Sequence, residues 1–242
     1  MRIAIYSDVH GNLEAFEGVL KDIKREDVDK KVFLGDIVGY GPNPNECIEL
    51  LRENADVILA GNHDWAAVGL TDSEYFNPYA KASLFWTMEA LTDVNKAFLK
   101  ELSPTKMEDA IQFAHSTPLE PQEWRYILTM QDATDNYDSL EKDLCFVGHS
   151  HQPVIIEYAD AANIVPIRDI YKTLEKNRKY IVNVGSVGQS RDSNPDSCYV
   201  VYDSKTQNIE FRRVEYDVAR VQKKMEKHKL PQYLIERLGL GR

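Results

Sequence analysis

The chain has 242 residues, 43% of them hydrophobic, and 39 acidic against 29 basic residues give it a formal net charge of −10. This length favours one well-buried core and one domain with an insertion. The negative charge argues against binding along extended nucleic acid or on an anionic membrane. Three scattered cysteines form no disulfide framework, and no apolar run reaches the length of a secretory signal or a membrane span. We therefore expect a soluble, cytoplasmic protein.

The first half of the chain alternates predicted strands and helices. Strands at 2–7, 32–34 and 57–59 each lead into a loop of polar and glycine residues. Apolar residues at helical spacing predict helices over 12–25 and 44–53. Repeated strand, loop and helix units imply a sheet whose binding residues gather beyond the carboxyl ends of its strands.

A helical insertion is predicted from residue 65 to about 102, where aromatic and alanine residues replace the strand signals. Six further strands follow, near 110–114, 144–147, 153–158, 180–184, 198–202 and 208–214. Two sheets packed face to face with helices outside would account for so many strands, within one domain over 1–242. Apolar residues in the tail, among them Val221, Met225 and Leu234, favour helices packed on a core over a dimer seam.

The histidines are the most informative feature of the sequence. Five of the six follow an apolar, strand-like run and stand beside Asp, Asn or another His: His10, His63, His115, His149 and His151. Imidazole with carboxylate ligands suits Zn, Fe or Mn, and carboxylate-rich sites also admit Mg. A structural zinc site would more often use thiolates, and no cysteine is near. The pattern predicts a catalytic metal site.

The single motifs differ in specificity. Asp8-x-His10 arises often by chance and alone favours a strand-end cap, and Gly35-Asp36 could be a plain turn. The four-residue stretches 61–64 and 148–151 are more specific, because polar residues directly after buried strands are costly unless something binds them. Taken together in this order, with His115 between them, the motifs predict one site.

The same order resembles the calcineurin-like metallophosphoesterases: Asp-x-His, Gly-Asp, Gly-Asn-His-Asp, a lone His and Gly-His-x-His, over about the first 150 residues. The Gly-Tyr-Gly-Pro run at 39–42 and the stretch 183–192 are similar to the bacterial and archaeal branch related to diadenosine tetraphosphatase-like phosphoesterases. The resemblance implies a four-layer α/β/β/α sandwich of two mixed β-sheets flanked by helices.

The resemblance also implies a role for each site residue. Two divalent metal ions are expected, with Mn as first choice and Fe, Zn, Ni or Mg as alternatives. One ion would be bound by Asp8, His10 and His151, the other by Asn62, His115 and His149, with Asp36 bridging both. His63 would stand beside the substrate and protonate or hydrogen-bond the leaving oxygen, and Asp64 would orient its ring.

The implied activity is hydrolysis of a small phosphate ester, a nucleotide-derived one among the candidates, by a hydroxide held between the two metals. Phosphodiesterase and phosphatase both fit. A protein Ser/Thr phosphatase and a non-catalytic, metal-binding scaffold of the same fold are the alternatives, and the presence of His63 argues against the scaffold. A monomer or small homo-oligomer is expected.

Three further residues are candidates for substrate binding. Arg191 follows a glycine-rich turn and could contact a phosphate or, equally, form a surface salt bridge. Asn12 and Tyr40 lie on the metal loops, where ordinary loop capping is an equal alternative. For three aromatic residues in the insertion, Trp65, Trp86 and Tyr79, core packing is favoured over stacking on a nucleobase.

Overall fold

The structure is a computed structural model that describes residues 1–74 and 76–242. Its strands form two six-stranded mixed sheets. In chain order the strands are β1 Arg2–Tyr6, β2 Lys30–Phe33, β3 Val57–Ile58, β4 Thr105–Glu108, β5 Ile111–Ala114, β6 Leu144–Val147, β7 Val154–Tyr158, β8 Ile164–Ile167, β9 Tyr171–Thr173, β10 Lys179–Asn183, β11 Ser197–Asp203 and β12 Asn208–Val214.

The described helices lie around the sheets and between their strands. They are α1 Leu13–Ile23, α2 Pro44–Asn54, α3 Asn62–Ala67, α4 Pro78–Ala90, α5 Asp93–Lys100, α6 Met130–Asn136, α7 Val218–Lys227 and α8 Gln232–Leu238. Local sequence explains two of the starts. The side chain of Asn12 accepts the backbone N–H of Ala15 at the start of α1, and Pro44 fills the first turn of α2, where a missing N–H costs nothing.

The first sheet has the order β3-β2-β1-β11-β12-β9, and the second β4-β5-β6-β10-β7-β8. Strands β1, β2 and β3 are parallel neighbours, and β5, β6 and β10 are parallel in the second sheet. The carboxyl ends of parallel strands meet at one edge of a sheet, so the loops after β1, β2, β5 and β6 can converge.

Alternation along β1 divides its side chains between two cores. Ile3 and Ile5 face the second sheet, where Phe113 and Phe146 pack against them in the layer between the sheets. Tyr6 faces the outer helices and packs on Phe16 of α1. The outer face of the second sheet carries a further core that includes Ala133 of α6, Tyr158 and Ile181. This is the predicted α/β/β/α sandwich.

All nine predicted strands are present within a few residues of their predicted bounds. Three strands were missed: β4, β8 and β9. Each lies at the edge of a sheet, and only half-buried and exposed residues make them up, so they carry weak hydrophobic alternation. Pro166 within β8 weakens the signal further.

Helices α3, α4 and α5 occupy the predicted insertion. The tail forms α7 and α8, whose residues Val221, Met225 and Leu234 are buried against one another and against Tyr40 and Ala80, so the prediction of core packing is confirmed. Within the described residues, no helix combines the length and the apolar character that crossing a bilayer requires. One domain over 1–242 stays a prediction.

Candidate metal centre

The seven predicted metal ligands converge at one end of the two sheets. Asp8 and His10 follow β1, Asp36 follows β2, and His115 follows β5. Asn62 is the first residue of α3, after β3, and His149 and His151 follow β6. All are buried, with at most 6% of each residue exposed: Asp8, His10, Asp36, Asn62, His115, His149 and His151. Charged and polar side chains are rarely buried to this degree without a partner, so the cluster requires an explanation.

The potential ligand atoms form overlapping groups. In each group the atoms lie within 4.8 Å of one another: Asp8 with His10 and His151, Asp36 with His115 and His149, and His10 with Asp36 and His63. Asp36 lies between the first two groups, because its Oδ2 is 3.7 Å from Nε2 of His10 and 3.4 Å from Nε2 of His115.

One ring nitrogen of each candidate histidine ligand contacts a backbone carbonyl. The Nδ1 pairs are His10 with Val38 at 3.0 Å, His115 with Leu34 at 2.9 Å and His151 with Gln189 at 2.5 Å. A carbonyl can only accept, so each Nδ1 carries the proton when the ring is neutral and Nε2 carries the lone pair. This is the outer hydrogen bond that fixes metal-ligating histidines in proteins.

His149 uses the opposite tautomer. Its Nε2 donates to the carbonyl of Trp124 at 2.8 Å, which leaves the lone pair on Nδ1. The ring of Tyr126 stacks on His149 with 4.0 Å between centroids and 16° between planes. The loop that contains Trp124 and Tyr126 therefore fixes the orientation of this imidazole.

Several polar atoms in the cluster have no hydrogen-bond partner among residues 1–74 and 76–242: Asp8 Oδ1, Asn62 Oδ1 and His115 Nε2. In addition, Nε2 of His10 lies 3.1 Å from Nε2 of His151, and both atoms carry lone pairs in the neutral tautomers. Buried acceptors that face one another are unfavourable unless a cation satisfies them. The donor set thus fits divalent metal ions, with the oxygen and imidazole ligands that such ions accept.

The ionisation states agree with metal binding. Burial lowers the pKa of His149 to about 3 and also lowers the pKa values of His10 and His151, so these rings are neutral at pH 7. Burial alone would raise the pKa of Asp8 and Asp36, but neighbouring imidazoles hold both well below the usual range. Neutral imidazoles and ionised carboxylates are the forms that coordinate metals.

His115 differs from the other ligands. Burial would lower its pKa, but the carboxylate of Asp36 at 3.4 Å outweighs burial and raises the pKa to about 9. Without metal, His115 and Asp36 form a buried ion pair. A metal ion would replace the proton on His115.

The loops hold their ligands in a strained backbone conformation. Asp8, His10, Asp36, His149 and His151 all have φ between 51° and 66°, in the left-handed region. Each such residue costs roughly 1–2 kcal/mol. Hydrogen bonds between the loops maintain the conformation, since Asp8 N donates to Gly35 O at 2.9 Å and His10 N to Asp36 O at 3.0 Å. Strain of this kind is concentrated at functional sites.

Glycine is required where two of these loops touch. A Cβ at Gly61 would lie 2.0 Å from Oδ1 of Asp36, and one at Gly148 would lie 2.2 Å from Oγ of Ser7. The glycines of the two specific sequence motifs therefore allow the close approach of their neighbours.

His63 lies beside the cluster and is buried. Its Nε2 contacts the hydroxyl of Tyr40 at 3.1 Å, and its ring packs edge-on against His10 with 4.9 Å between centroids. Burial lowers the pKa of His63 to about 4, so the ring is neutral at pH 7. Its Nδ1 has no hydrogen-bond partner among the described residues.

The expectation that Asp64 orients the His63 ring is wrong. The Asp64 carboxylate instead accepts three backbone N–H groups, from Asp36 at 2.8 Å, Gly61 at 2.9 Å and Val38 at 3.1 Å. These amides lie nearer than the imidazole and would be unsatisfied without it. Burial, and then the charge of Asp36, raise the pKa of Asp64 to about 7. Asp64 thus positions the Asp36 loop rather than the ring.

Arg191 and Tyr40 lie together beside the cluster. Nη2 of Arg191 donates to the Tyr40 hydroxyl at 3.3 Å and to Oε1 of Gln189 at 3.2 Å. The alternative of a surface salt bridge is not supported, because no carboxylate lies within 4.0 Å of Arg191 among the residues that the structure describes. The Tyr40 ring is 4.5 Å from the centroids of both His10 and His63.

For Asn12, the hydrogen bonds favour loop capping over substrate contact. Its Oδ1 accepts the N–H of Ala15 at 3.1 Å and its Nδ2 donates to Gly188 O at 2.9 Å. Both ends of the amide are occupied, and the residue is buried. We therefore interpret Asn12 as a residue that joins two of the loops.

An aromatic loop that the sequence analysis did not predict lies beside the cluster. Trp124, Tyr126 and Phe76 line a cavity of about 160 Å³ that also contacts Asn62 and His149. Nε1 of Trp124 donates to Oγ1 of Thr71 at 3.1 Å, which connects this loop to the insertion. The one available signal was the Trp-Arg-Tyr run at 124–126 within a long segment without strand patterning.

The aromatic residues considered in the insertion differ in their packing. Tyr79 is 47% exposed and stacks on Tyr233 of α8, so the prediction of core packing is wrong for this residue. Trp86 packs on the core of α7 and α8, as favoured, and Trp65 packs edge-on against Trp124 with 5.4 Å between centroids.

Comparison with known proteins identifies the family of the chain. The family model described as the calcineurin-like phosphoesterase superfamily domain matches residues 1–207. The chain belongs to the calcineurin-like phosphoesterase superfamily, as the resemblance indicated. An uncharacterised protein of Methanocaldococcus jannaschii is 41% identical to this chain, and the similarity covers 99% of this chain and 98% of that protein.

Solved structures are similar over the whole chain. A metallophosphoesterase from Sphaerobacter thermophilus is 39% identical, with a TM-score of 0.89 over 100% of this chain and 99% of that one. A hypothetical protein from Pyrococcus horikoshii OT3 is 21% identical, with a TM-score of 0.81 over 100% and 98% of the two chains, and this likeness concerns the fold alone.

Proposed function

We propose that the chain is a dinuclear metallophosphoesterase that hydrolyses a small phosphate ester. One observation carries the proposal: two buried donor groups meet at Asp36, with lone pairs that have no partner among the described residues, directly beside a neutral histidine. Superfamily membership supports the reaction class. We propose Mn²⁺ as the native metal, with Fe, Zn, Ni and Mg as the ions to compare.

The proposed ligand sets follow the geometry of the two groups. Asp8, His10 and His151 would hold one ion, and Asn62, His115 and His149 the other, with Asp36 between them. Two bound ions would lower the pKa of water and neutralise charge on the phosphate oxygens. They would also offset the net charge of −10 where an anionic substrate enters.

His63 is proposed as the residue that hydrogen-bonds the leaving oxygen. It lies within 4.9 Å of His10, between ring centroids, and its lowered pKa keeps it neutral. A neutral imidazole still carries one N–H that it can donate to the leaving oxygen. The hydroxyl of Tyr40 contacts Nε2 of the same ring. The unpaired Nδ1 leaves the ring able to adopt either tautomer.

Arg191 is proposed to bind a non-bridging phosphate oxygen. Its guanidinium is held by Tyr40 and Gln189 rather than by a carboxylate, and its Nε is buried without a partner among the described residues. A guanidinium with free donors and no acidic partner is suited to phosphate. Tyr40 would fix the position of both Arg191 and His63.

The three cysteines support a reducing compartment. Cys47, Cys145 and Cys198 are buried as free thiols. Secreted proteins more often pair their cysteines, so we propose a cytoplasmic location.

The test is hydrolysis of bis-p-nitrophenyl phosphate and p-nitrophenyl phosphate by metal-stripped protein, with each candidate ion added back in turn. We expect metal-dependent turnover that Asp36→Asn abolishes and that Asp138→Asn, at an exposed carboxylate, leaves intact. The ratio of the two rates separates diesterase from phosphatase. Folded protein that binds two ions and hydrolyses neither ester would contradict the proposal and favour a scaffold.

A further inference from the structure

Three aromatic rings connect the cavity of about 160 Å³ to the metal centre. Each ring packs on a different histidine of the cluster, with these distances between ring centroids: Phe76 on His63 at 4.7 Å, Trp124 on His115 at 5.9 Å and Tyr126 on His149 at 4.0 Å. The cavity therefore begins at the cluster. One of its walls, Phe76, contacts the histidine that is proposed to serve the leaving oxygen.

The two ends of this cavity differ in exposure and in charge. Asn62 and His149, both proposed metal ligands, lie at its buried inner end, with 6% and 4% of each residue exposed. Asp72 and Glu123 also line the cavity, but they are exposed and therefore lie at its outer end. With metal ions bound, the inner end would be positive and the outer end negative.

The carboxylates at the outer end have no cationic partner. Among residues 1–74 and 76–242, no Lys, Arg or His lies within 4.0 Å of Asp72 or Glu123, and neither Lys nor Arg lines the cavity. Arg125, next to Trp124 in the chain, pairs instead with Glu120 at 2.6 Å, outside the cavity lining. Both carboxylates are thus available to attract a positive group of a substrate.

The faces of aromatic rings and the carboxylates all attract positive charge. We propose that the cavity binds a small substituted ammonium group on the alcohol side of the ester, so that the substrate carries its phosphate at the inner end and a cation at the outer end. This inference rests on the proposed function for the position of the phosphate. The cavity is smaller than the roughly 300–1,000 Å³ of sites that enclose a whole drug-sized ligand, as expected if it holds one group of the substrate.

The test is calorimetric binding of phosphonates, which have no ester bond to hydrolyse, to Mn²⁺-loaded protein with free Mn²⁺ held constant. The probes are 2-(trimethylammonio)ethylphosphonate, its isostere 3,3-dimethylbutylphosphonate, in which carbon replaces the charged nitrogen, and 2-phenylethylphosphonate, which carries a planar ring. We expect the ammonium probe to bind about 10-fold tighter than its isostere, as cation–π contacts and nearby carboxylates would give. Attraction to the metal ions alone predicts the opposite order, because the isostere has the more negative overall charge.

Two double variants locate the effect. Asp72→Asn with Glu123→Gln should reduce the preference for the ammonium probe to about 2-fold or less, because both changes keep the side-chain shape and remove the charge. Asp138→Asn with Glu141→Gln removes the same two charges at exposed side chains outside the cavity, and should retain the full preference.

Equal binding of the ammonium probe and its isostere by the parent protein, or a preference that survives in the folded cavity variant, would overturn the inference. Tighter binding of the phenyl probe than of the ammonium probe would also overturn it and would assign the cavity to a planar ring. A preference for the ammonium probe without hydrolysis of either p-nitrophenyl ester would uphold the cation site and contradict the proposed function. Ester hydrolysis with equal binding of the probes would do the reverse.

Discussion

The Nε2 atoms of His10 and His151 face each other at 3.1 Å. Both rings already use Nδ1 at a backbone carbonyl, at Val38 and at Gln189, so neither ring has a proton to offer the other in its neutral form. Burial lowers the pKa values of both rings and therefore disfavours a shared proton. A metal ion bound by these residues would satisfy both lone pairs and also Oδ1 of Asp8, which lies 3.3 Å from Nε2 of His151.

Replacing His151 with Ala should remove one of two bound ions. The variant loses a ligand from the group of Asp8 and His10 but leaves Asn62 and His115 in place. Inductively coupled plasma mass spectrometry after dialysis should show about two ions per parent chain and about one per variant chain. His228→Ala, at the end of α7, is the control and should retain both ions. Unchanged metal content in His151→Ala would refute the ligand assignment.

His63→Asn should retain both ions and lose roughly 10²–10⁴-fold in turnover, the range that general acid–base catalysis contributes. The loss should be smaller for p-nitrophenyl esters than for alkyl esters, because nitrophenolate needs little help to leave. Metal content and kcat for both ester types are the measurements. Parental turnover of an alkyl ester by the variant would rule out the proposed role.

Asp64→Asn should destabilise the protein by about 2–4 kcal/mol. The carboxylate accepts three backbone N–H groups in a buried place, and an amide has one oxygen to accept them and adds two donors. Thermal and urea denaturation of metal-loaded protein provide the measurement, with Asp138→Asn as the surface control. A variant of parental stability with a shifted pH–rate profile would show instead that Asp64 acts through His63.

Metal-free protein should lose stability as the pH rises from about 6.5 to 9. The pKa of His115 is near 6.5 in the unfolded chain and about 9 in the folded one, so folded protein holds the proton more tightly. This stabilisation, on the order of 3 kcal/mol, is complete below pH 6.5 and disappears as the pH passes through about 9. The raised pKa of Asp64, about 7, acts mainly below this window.

Metal-loaded protein should not show that loss, because the ion replaces the proton on His115. Thermal denaturation between pH 6.5 and 9.5, with and without metal, makes the comparison. Parallel stability curves for the two forms would contradict the assignment of His115 as a ligand.

The convergence of the candidate ligands could be predicted because it follows local rules. Asp8, Asp36 and His115 each come directly after a buried strand, and parallel strand order brings such positions together. The edge strands β4, β8 and β9 could not be predicted from the sequence, because exposed strands need little hydrophobic patterning.

Other features depend on tertiary contacts that no spacing indicates. Asp64 and His63 are neighbours in sequence, yet the Asp64 carboxylate binds the backbone of the Asp36 loop. Tyr126 reaches His149 from a loop without patterning. These contacts join segments far apart in the chain, so only the fold defines them.

The most direct test of the metal centre is a crystal of Mn²⁺-loaded protein, measured at a wavelength where manganese scatters anomalously. The account predicts two anomalous peaks roughly 3.5–4 Å apart, one beside Asp8, His10 and His151 and one beside Asn62, His115 and His149, with Asp36 reaching both. A single peak at full occupancy, or peaks away from these side chains, would contradict it.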